Sequence, residues 1–161
     1  MKIFKTLLMG MLAVAALASC ASENALPVPQ APLEECVYMG GKTEFAVWAP
    51  TAEAAELRLY HSASDEAAFK IVNMKYSKKD GLWKTTVNED VKGAFYTFQI
   101  NQNGTWLEET EGIAAKAVGV NGMRGAVIDW TETNPEGWAE DKSPEIKPSD
   151  IIVYELQHRD F

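Results

Sequence analysis

Short strand-like segments, each separated from the next by turn residues, constrain the fold of this chain more than any other feature of its sequence. In each segment apolar residues alternate with polar ones, as expected of a half-buried strand. Asp80-Gly81 and Asn103-Gly104 are typical of tight turns. No long stretch between the segments has helical periodicity. The segments are residues 43–48, 56–61, 69–76, 82–87, 94–100, 105–108 and 126–130. Roughly seven strands at this spacing predict an all-β, immunoglobulin-like β-sandwich.

The tryptophans divide by their place in this pattern. Trp48 and Trp83 alternate with apolar neighbours and are predicted to lie in the core. Trp130 and Trp138 lie at or beyond the last strand, where contact with another domain is the better interpretation. Trp106 directly follows a hairpin turn, so its ring can project into water. Four residues are predicted to build the core of the sandwich: Phe45, Leu57, Trp83 and Phe98.

The N-terminus has the pattern of an export signal. A short basic region is followed by an apolar stretch over residues 6–18, which is shorter than the roughly 20 residues that a membrane-spanning helix needs. It ends in Leu17-Ala18-Ser19-Cys20, which resembles the lipobox of bacterial lipoproteins, with Cys20 as the acylated residue. The alternative is an ordinary signal peptide with a cysteine beside its cleavage site.

The export-signal pattern predicts two N-terminal regions and the cellular location of the mature chain. Residues 1–19 are predicted to be a lipoprotein signal peptide, and residues 20–37 a proline-rich tether. The location predicted for the mature chain is the bacterial cell envelope, either in the periplasm or on the cell surface. A lipid on Cys20 would attach the chain to the membrane there.

Composition excludes several functions. Acidic residues outnumber Lys and Arg by 23 to 15, for a net charge of −8, and a surface of this sign repels nucleic acid. Once Cys20 is set aside, Cys36 has no cysteine with which to form an internal disulfide. With only His61 and His158 in the chain, no spacing resembles a zinc site. The sequence therefore predicts no metal and no cofactor.

The C-terminal part departs from the strand pattern. Residues 131–149 are loop-like and interrupted by prolines, whereas residues 151–156 are apolar on both faces. A strand of that kind is typical of a parallel sheet covered on both sides. Such a strand needs neighbours, so we expect this chain to be the front part of a longer protein, although packing of the segment onto the sandwich is the alternative.

Four stretches carry a resemblance to known families. Residues 45–52 (Phe-Ala-Val-Trp-Ala-Pro-Thr-Ala) resemble the opening of a family 48 carbohydrate-binding module. Residues 115–122, 133–138 and 150–156 resemble, in order and spacing, type I pullulanases of glycoside hydrolase family 13. The resemblance implies a family 48 β-sandwich over residues 38–130 and a linker over 131–149. Residues 150–161 would then be the first strand of a truncated (β/α)8 barrel.

That resemblance implies hydrolysis of α-1,6 branch links in pullulan, amylopectin or glycogen, which needs two carboxylates placed across the scissile bond. In the family those carboxylates lie on later barrel strands. No catalytic residue is therefore assigned to this chain, its status as an enzyme is left uncertain, and we expect it to be inactive without the missing barrel. Gln157 and Ala114 also depart from the residues that the family usually has at those places.

Trp106 is the candidate glucan-binding residue, since it matches a stacking tryptophan of glycogen-binding family members. Those members carry a lysine where this chain has Thr97, and their first tryptophan has no match in residues 49–55. A structural or interdomain role for Trp106 thus stays open. Three functions follow: a pullulanase module that supports or orients the barrel and contacts α-glucan, a stand-alone glucan-binding surface lipoprotein, or a purely structural module.

Overall fold

The structure is a computed structural model that describes residues 25–157 and residue 159. Within these residues the regular structure consists of nine β-strands and short 3₁₀ turns, with no α-helix. The strands are β1 (Cys36–Tyr38), β2 (Thr43–Trp48), β3 (Ala54–Tyr60), β4 (Lys70–Asn73), β5 (Lys75–Ser77), β6 (Leu82–Val87), β7 (Phe95–Gln102), β8 (Thr105–Trp106) and β9 (Gly125–Ala126). No helix in the described part of the chain is long and apolar enough to cross a membrane.

The strands form two antiparallel sheets. Sheet A has the order β1-β2-β6-β5, and sheet B has the order β4-β3-β7-β8, with β9 also paired to β7. The side chains that alternate inward from both sheets meet in one core, as in other β-sandwiches. The prediction of an all-β, immunoglobulin-like sandwich is confirmed.

Aromatic side chains join the two sheets in the core. The ring of Tyr96 lies edge-on to Phe45 of the facing sheet, with centroids 5.3 Å apart, and edge-on to Phe98, at 5.4 Å. Leu57 is fully buried beside them and Trp83 is also buried. The four predicted core residues are therefore correct. Edge-to-face contacts of this kind add about 0.5–1.5 kcal/mol each to the burial of the rings.

The prediction that Trp48 belongs to the core is wrong. Trp48 points away from the core on β2 and is only partly buried. Its indole Nε1 donates a hydrogen bond to the carbonyl oxygen of Pro27, at 2.9 Å. The N-terminal segment thus covers this ring, and a sequence pattern cannot reveal that cover because it comes from a residue 21 positions away.

The N-terminal segment is tied to the sandwich before the predicted tether ends. Residues 25–35 have no regular secondary structure, but the Glu35 carbonyl oxygen accepts a hydrogen bond from the Ala46 N–H, at 3.0 Å. Strand β1 then begins at Cys36, so the predicted boundary after residue 37 falls inside a strand. The predicted signal peptide and Cys20 lie outside the described residues.

The predicted strand over residues 69–76 is two strands. Strand β4 belongs to sheet B and β5 to sheet A, and Met74 between them is buried. The Met74 N–H donates to the Ala55 carbonyl oxygen, at 2.9 Å. The chain therefore crosses from one sheet to the other at this residue.

The described chain divides into two compact units, one ending at Asp129 and one beginning at Trp130. Between residues 130 and 157 the second unit contains three 3₁₀ turns, Trp130–Glu132, Trp138–Glu140 and Pro148–Asp150. The strand predicted over residues 151–156 does not form, because a strand requires hydrogen-bonded neighbours, and Ile152 is 95% exposed. The assignment of this segment to a barrel stays a prediction.

Candidate functional site

The outer face of sheet B is the face of β3 and β7 that points away from the core. Because side chains alternate along a strand, burying Leu57 and Phe98 turns their neighbours outward. Cross-strand pairing then places these neighbours opposite one another. The outward side chains are those of Glu56, Arg58, Thr97, Gln99 and Asn101.

Trp106 is presented at one end of this outer face by a two-residue hairpin loop. Asn103 and Gly104 both have positive φ, 52° and 73°, as a type I′ turn requires. The turn pairs Trp106 directly with Asn101, so the indole lies on the outer face, where the residue is 42% exposed. The Glu53 carboxylate accepts a hydrogen bond from the Gly104 N–H, at 3.0 Å, and this fixes the turn.

Beyond Trp106 the chain continues alongside β7 with one extra residue. Asn101 pairs with Trp106, whereas Phe98 bridges to Thr110, so three steps on β7 match four on the other segment. This two-against-one offset is that of a β-bulge, which shifts the alternation of side chains by one position. As a result Glu109 turns onto the outer face.

Glu109 is the centre of a hydrogen-bonded cluster on that face. Its Oε2 accepts hydrogen bonds from Thr97 Oγ1, at 2.5 Å, and from the Tyr60 hydroxyl. Its Oε1 lies 3.7 Å from Arg58 Nη1. Partial burial opposes ionisation of this carboxyl. The two hydrogen bonds and the charges of Arg58 and Arg124 outweigh that effect and hold the pKa of Glu109 below its usual value.

Tyr60 is held from its other side. The Arg124 guanidinium carbon lies 3.5 Å from the centre of the Tyr60 ring, a cation–π contact. Arg124 also donates hydrogen bonds to the carbonyl oxygens of Ser62, at 2.8 Å, and Asp65, at 2.5 Å. Burial, followed by the hydrogen bond to Glu109, raises the pKa of Tyr60, so its hydroxyl stays protonated and remains a donor. The Tyr60–Glu109 pair is therefore fixed in position.

The structure separates the residues that the sequence singled out. Trp106 is accessible, whereas Thr97 is only 2% exposed because Glu109 lies over it. Trp130 and Trp138 are exposed in the second unit. Sequence reasoning missed Asn101 and Glu109. Pairing across the Asn-Gly turn could have identified Asn101, but nothing in the sequence distinguishes Glu109 from the neighbouring Glu108 and Glu111.

A groove of about 630 Å³ lies on sheet A, away from Trp106. The N-terminal segment forms one wall through Pro29 and Pro32, and β2 and β6 form its floor. Several of its charged side chains are already paired: Lys84 contacts Asp80 at 2.7 Å, and Glu44 contacts Lys42 at 2.7 Å. The outer face of sheet B is the better candidate site, because there an exposed ring adjoins polar groups whose positions are fixed.

The chemistry of that face suits a neutral ligand rich in hydroxyl groups. The indole offers a flat apolar surface, the Asn101 amide can both donate and accept hydrogen bonds, and the Glu109 carboxylate accepts them. The described residues contain no group of three or more His, Cys, Asp or Glu side chains that could hold a metal ion.

Residues 32–115 match the model of carbohydrate-binding module 48, the isoamylase N-terminal domain. The chain is similar to a pullulanase from Bacillus subtilis, with 34% identity over 125 residues, which cover 78% of this chain and 16% of that protein. It is also similar to chloroplastic pullulanase 1 of Arabidopsis thaliana, with 30% identity over 71% of this chain and 13% of that protein. The chain thus spans about a sixth or less of these curated relatives.

A solved structure has a similar fold. The pullulanase of Paenibacillus barengoltzii, in complex with maltohexaose and α-cyclodextrin, is 40% identical and superposes with a TM-score of 0.75. The match covers 81% of this chain and 20% of that protein.

Proposed function

Because the chain belongs to the carbohydrate-binding module 48 family, we propose that it is an α-glucan-binding module that works beside a catalytic barrel of the pullulanase type. The proposal rests chiefly on Trp106, which is exposed and pairs with Asn101 on the outer face of sheet B. An aromatic ring next to an amide provides both the stacking surface and the directional hydrogen bonds that sugar recognition needs.

The relatives support the choice of an α-linked glucan. The similar pullulanase from Paenibacillus barengoltzii is a complex with maltohexaose and α-cyclodextrin, both of which are α-glucans. In this proposal the module binds pullulan, amylopectin or glycogen, and a catalytic domain supplies the carboxylates that hydrolyse α-1,6 links. This chain contributes binding and orientation, with no residue assigned to catalysis.

Contact with the barrel is the second part of the proposal. Residues 113–123 of the first unit expose four large apolar side chains, Ile113, Val118, Val120 and Met123. An apolar group of this kind on a loop is typical of an interface. We assign it to the catalytic domain, which would then be held in a fixed orientation relative to the glucan on sheet B.

The third part of the proposal is the location. With a lipid on Cys20, the module and its catalytic partner would be held at the bacterial cell envelope, close to glucan outside the cytoplasm. The lipobox-like residues 17–20 support this anchor.

A structural module without a ligand is the second candidate function. The covering of Thr97 by Glu109 favours it, since that covering removes part of the outer face from contact with solvent. The exposed ring of Trp106 favours glucan binding. The two candidates differ in one measurable property, which is affinity for a free oligosaccharide.

Titration calorimetry tests the proposal on the chain expressed from Ala21, with maltohexaose as the ligand and cellohexaose as the matched β-linked control. We expect heat of binding with maltohexaose only. Equal affinity for both sugars would show non-selective stacking on an aromatic ring. Absence of binding to either would leave the structural module as the function.

A further inference from the structure

The two carboxylate oxygens of Glu109 have different partners. Both of its hydrogen bonds within the cluster, from Thr97 and Tyr60, fall on Oε2. Oε1 faces Arg58 at 3.7 Å, which is longer than a hydrogen bond. The side chain keeps 32% of its surface exposed. The carboxylate is thus partly open to solvent, and Oε1 has no hydrogen bond within the cluster.

The direction of Oε1 is set by its surroundings. The Tyr60 hydroxyl and Thr97 Oγ1 both donate hydrogen bonds to Oε2, and both residues are buried. Arg124 packs on the Tyr60 ring and keeps it in place. A carboxylate held in this way loses little conformational freedom when a ligand binds, and this preorganisation favours affinity.

The Glu109 carboxylate lies farther along β7 than the position of Trp106. Trp106 is opposite Asn101, and Glu109 lies over Thr97, four residues away on β7. At roughly 3.3 Å per residue, Thr97 and Asn101 lie about 13 Å apart along β7. Only a chain of several glucose units could span this distance, by passing over Gln99.

Building on the proposed function, we propose that Glu109 is a second glucan-binding residue, whose Oε1 accepts a hydrogen bond from a hydroxyl of a glucose unit farther along the chain than the unit on Trp106. The outer face would then select for an extended α-glucan over a short one. Hydrogen bonds to charged groups contribute about 1.5–3 kcal/mol, which corresponds to at least about a tenfold change in affinity.

The test compares maltose with maltohexaose on the wild-type chain and on the Glu109→Ala, Glu108→Ala and Trp106→Ala variants. Glu108→Ala removes the same charge from an exposed neighbouring residue and is the matched control. We expect Glu109→Ala to weaken maltohexaose binding at least about tenfold and to leave maltose binding unchanged. Glu108→Ala should change neither affinity, and Trp106→Ala should reduce both.

Two results would overturn the assignment of Glu109 while leaving the proposed function intact. In the first, Glu109→Ala binds maltohexaose like wild type while Trp106→Ala does not. In the second, Glu109→Ala weakens both sugars equally, which would mean that it acts by displacing Trp106. If the wild-type chain binds neither sugar, the proposed function itself fails.

Loss of the cluster could also unfold the chain, so thermal unfolding is measured for each variant. Should Glu109→Ala fail to fold, Glu109→Gln decides the question. It keeps the size of the side chain and an acceptor for Tyr60 and Thr97, but removes the charge. We expect a selective loss of maltohexaose affinity, and an unchanged affinity would overturn the proposal.

Discussion

The Glu35 carboxylate lies directly against Gly112, so close that a β-carbon added to Gly112 would fall 2.2 Å from Glu35 Oε2. The same carboxylate accepts hydrogen bonds from the backbone N–H groups of Ile113 and Ala114, both at 3.0 Å. Gly112 has a φ of +96°, which side chains rarely adopt. The contact thus joins the start of β1 to residues 112–114 and depends on the absence of a side chain.

Gly112→Ala should therefore destabilise the first unit for two reasons. The strained backbone costs about 1–3 kcal/mol, and forcing a methyl group against Glu35 adds about 1–3 kcal/mol. The total loss in the free energy of unfolding is measured by urea denaturation. Gly93→Ala is the matched control, since its φ is +80° and its β-carbon would meet nothing within 4 Å. Equal losses for the two variants would show that the Glu35 contact contributes nothing.

Glu35 should also make the stability of the chain depend on pH. Burial, which outweighs the two backbone hydrogen bonds, raises the pKa of Glu35 above its ordinary value of 4.5. The folded chain therefore holds this proton more tightly than the unfolded chain does. The resulting stability is fully present at pH below 4.5 and is lost as pH rises through the raised folded-state pKa.

Unfolding free energies of wild type and Glu35→Gln, measured from about pH 4.5 to about pH 8, should reveal this dependence. We expect wild type to lose stability relative to Glu35→Gln as pH rises. Glu34→Gln, which changes the adjacent exposed carboxylate, should keep the wild-type slope. Parallel curves for wild type and Glu35→Gln would contradict the account of this buried carboxyl.

Cys36 should be unreactive in the folded chain. Burial raises the pKa of its thiol to about 12, so the nucleophilic thiolate is scarce near neutral pH. In a Cys20→Ser variant, in which Cys36 is the one remaining cysteine, an aromatic disulfide reagent should label the thiol only as the chain unfolds. Fast labelling without denaturant would mean that the start of β1 opens readily.

The lipid anchor is tested by metabolic labelling in a bacterial host. Radioactive palmitate should label the wild-type chain and a Cys36→Ser variant, which controls for the other cysteine. Cys20→Ser should lose the label because its side chain cannot form the thioether. A wild-type chain without label, or a labelled Cys20→Ser variant, would remove the anchor from the proposed function.

Much of the fold was predictable where alternation and turn residues agree. Strands β2 and β6 have the predicted bounds, 43–48 and 82–87: β2 alternates and stops before the Ala-Pro-Thr of residues 49–51, and β6 begins directly after the Asp80-Gly81 turn. The division of residues 69–76 between two sheets at Met74 was not predictable. No glycine or proline marks a break there, and only the burial of Met74 between the sheets decides which sheet each half joins.

One residue of the candidate site, Trp106, could be predicted from the sequence. The Asn-Gly turn before Trp106 predicted that its ring could project into water, and the ring is exposed. Glu109 could not be predicted, since it depends on the extra residue between Trp106 and Thr110. With strict alternation from Trp106, Glu108 would point outward instead. A bulge depends on tertiary pairing, and the sequence of this segment carries no glycine or other signal for it.

The affinity of maltohexaose for Trp106→Ala, measured beside wild type and Trp138→Ala, tests most directly whether glucan binds at Trp106 on sheet B. Trp138 is 56% exposed in the second unit and controls for the loss of any accessible indole. We expect Trp106→Ala to lose at least about tenfold in affinity, about 1.4 kcal/mol, while Trp138→Ala binds like wild type. Wild-type affinity in Trp106→Ala, with its fold intact, would contradict the assignment of the glucan site to sheet B.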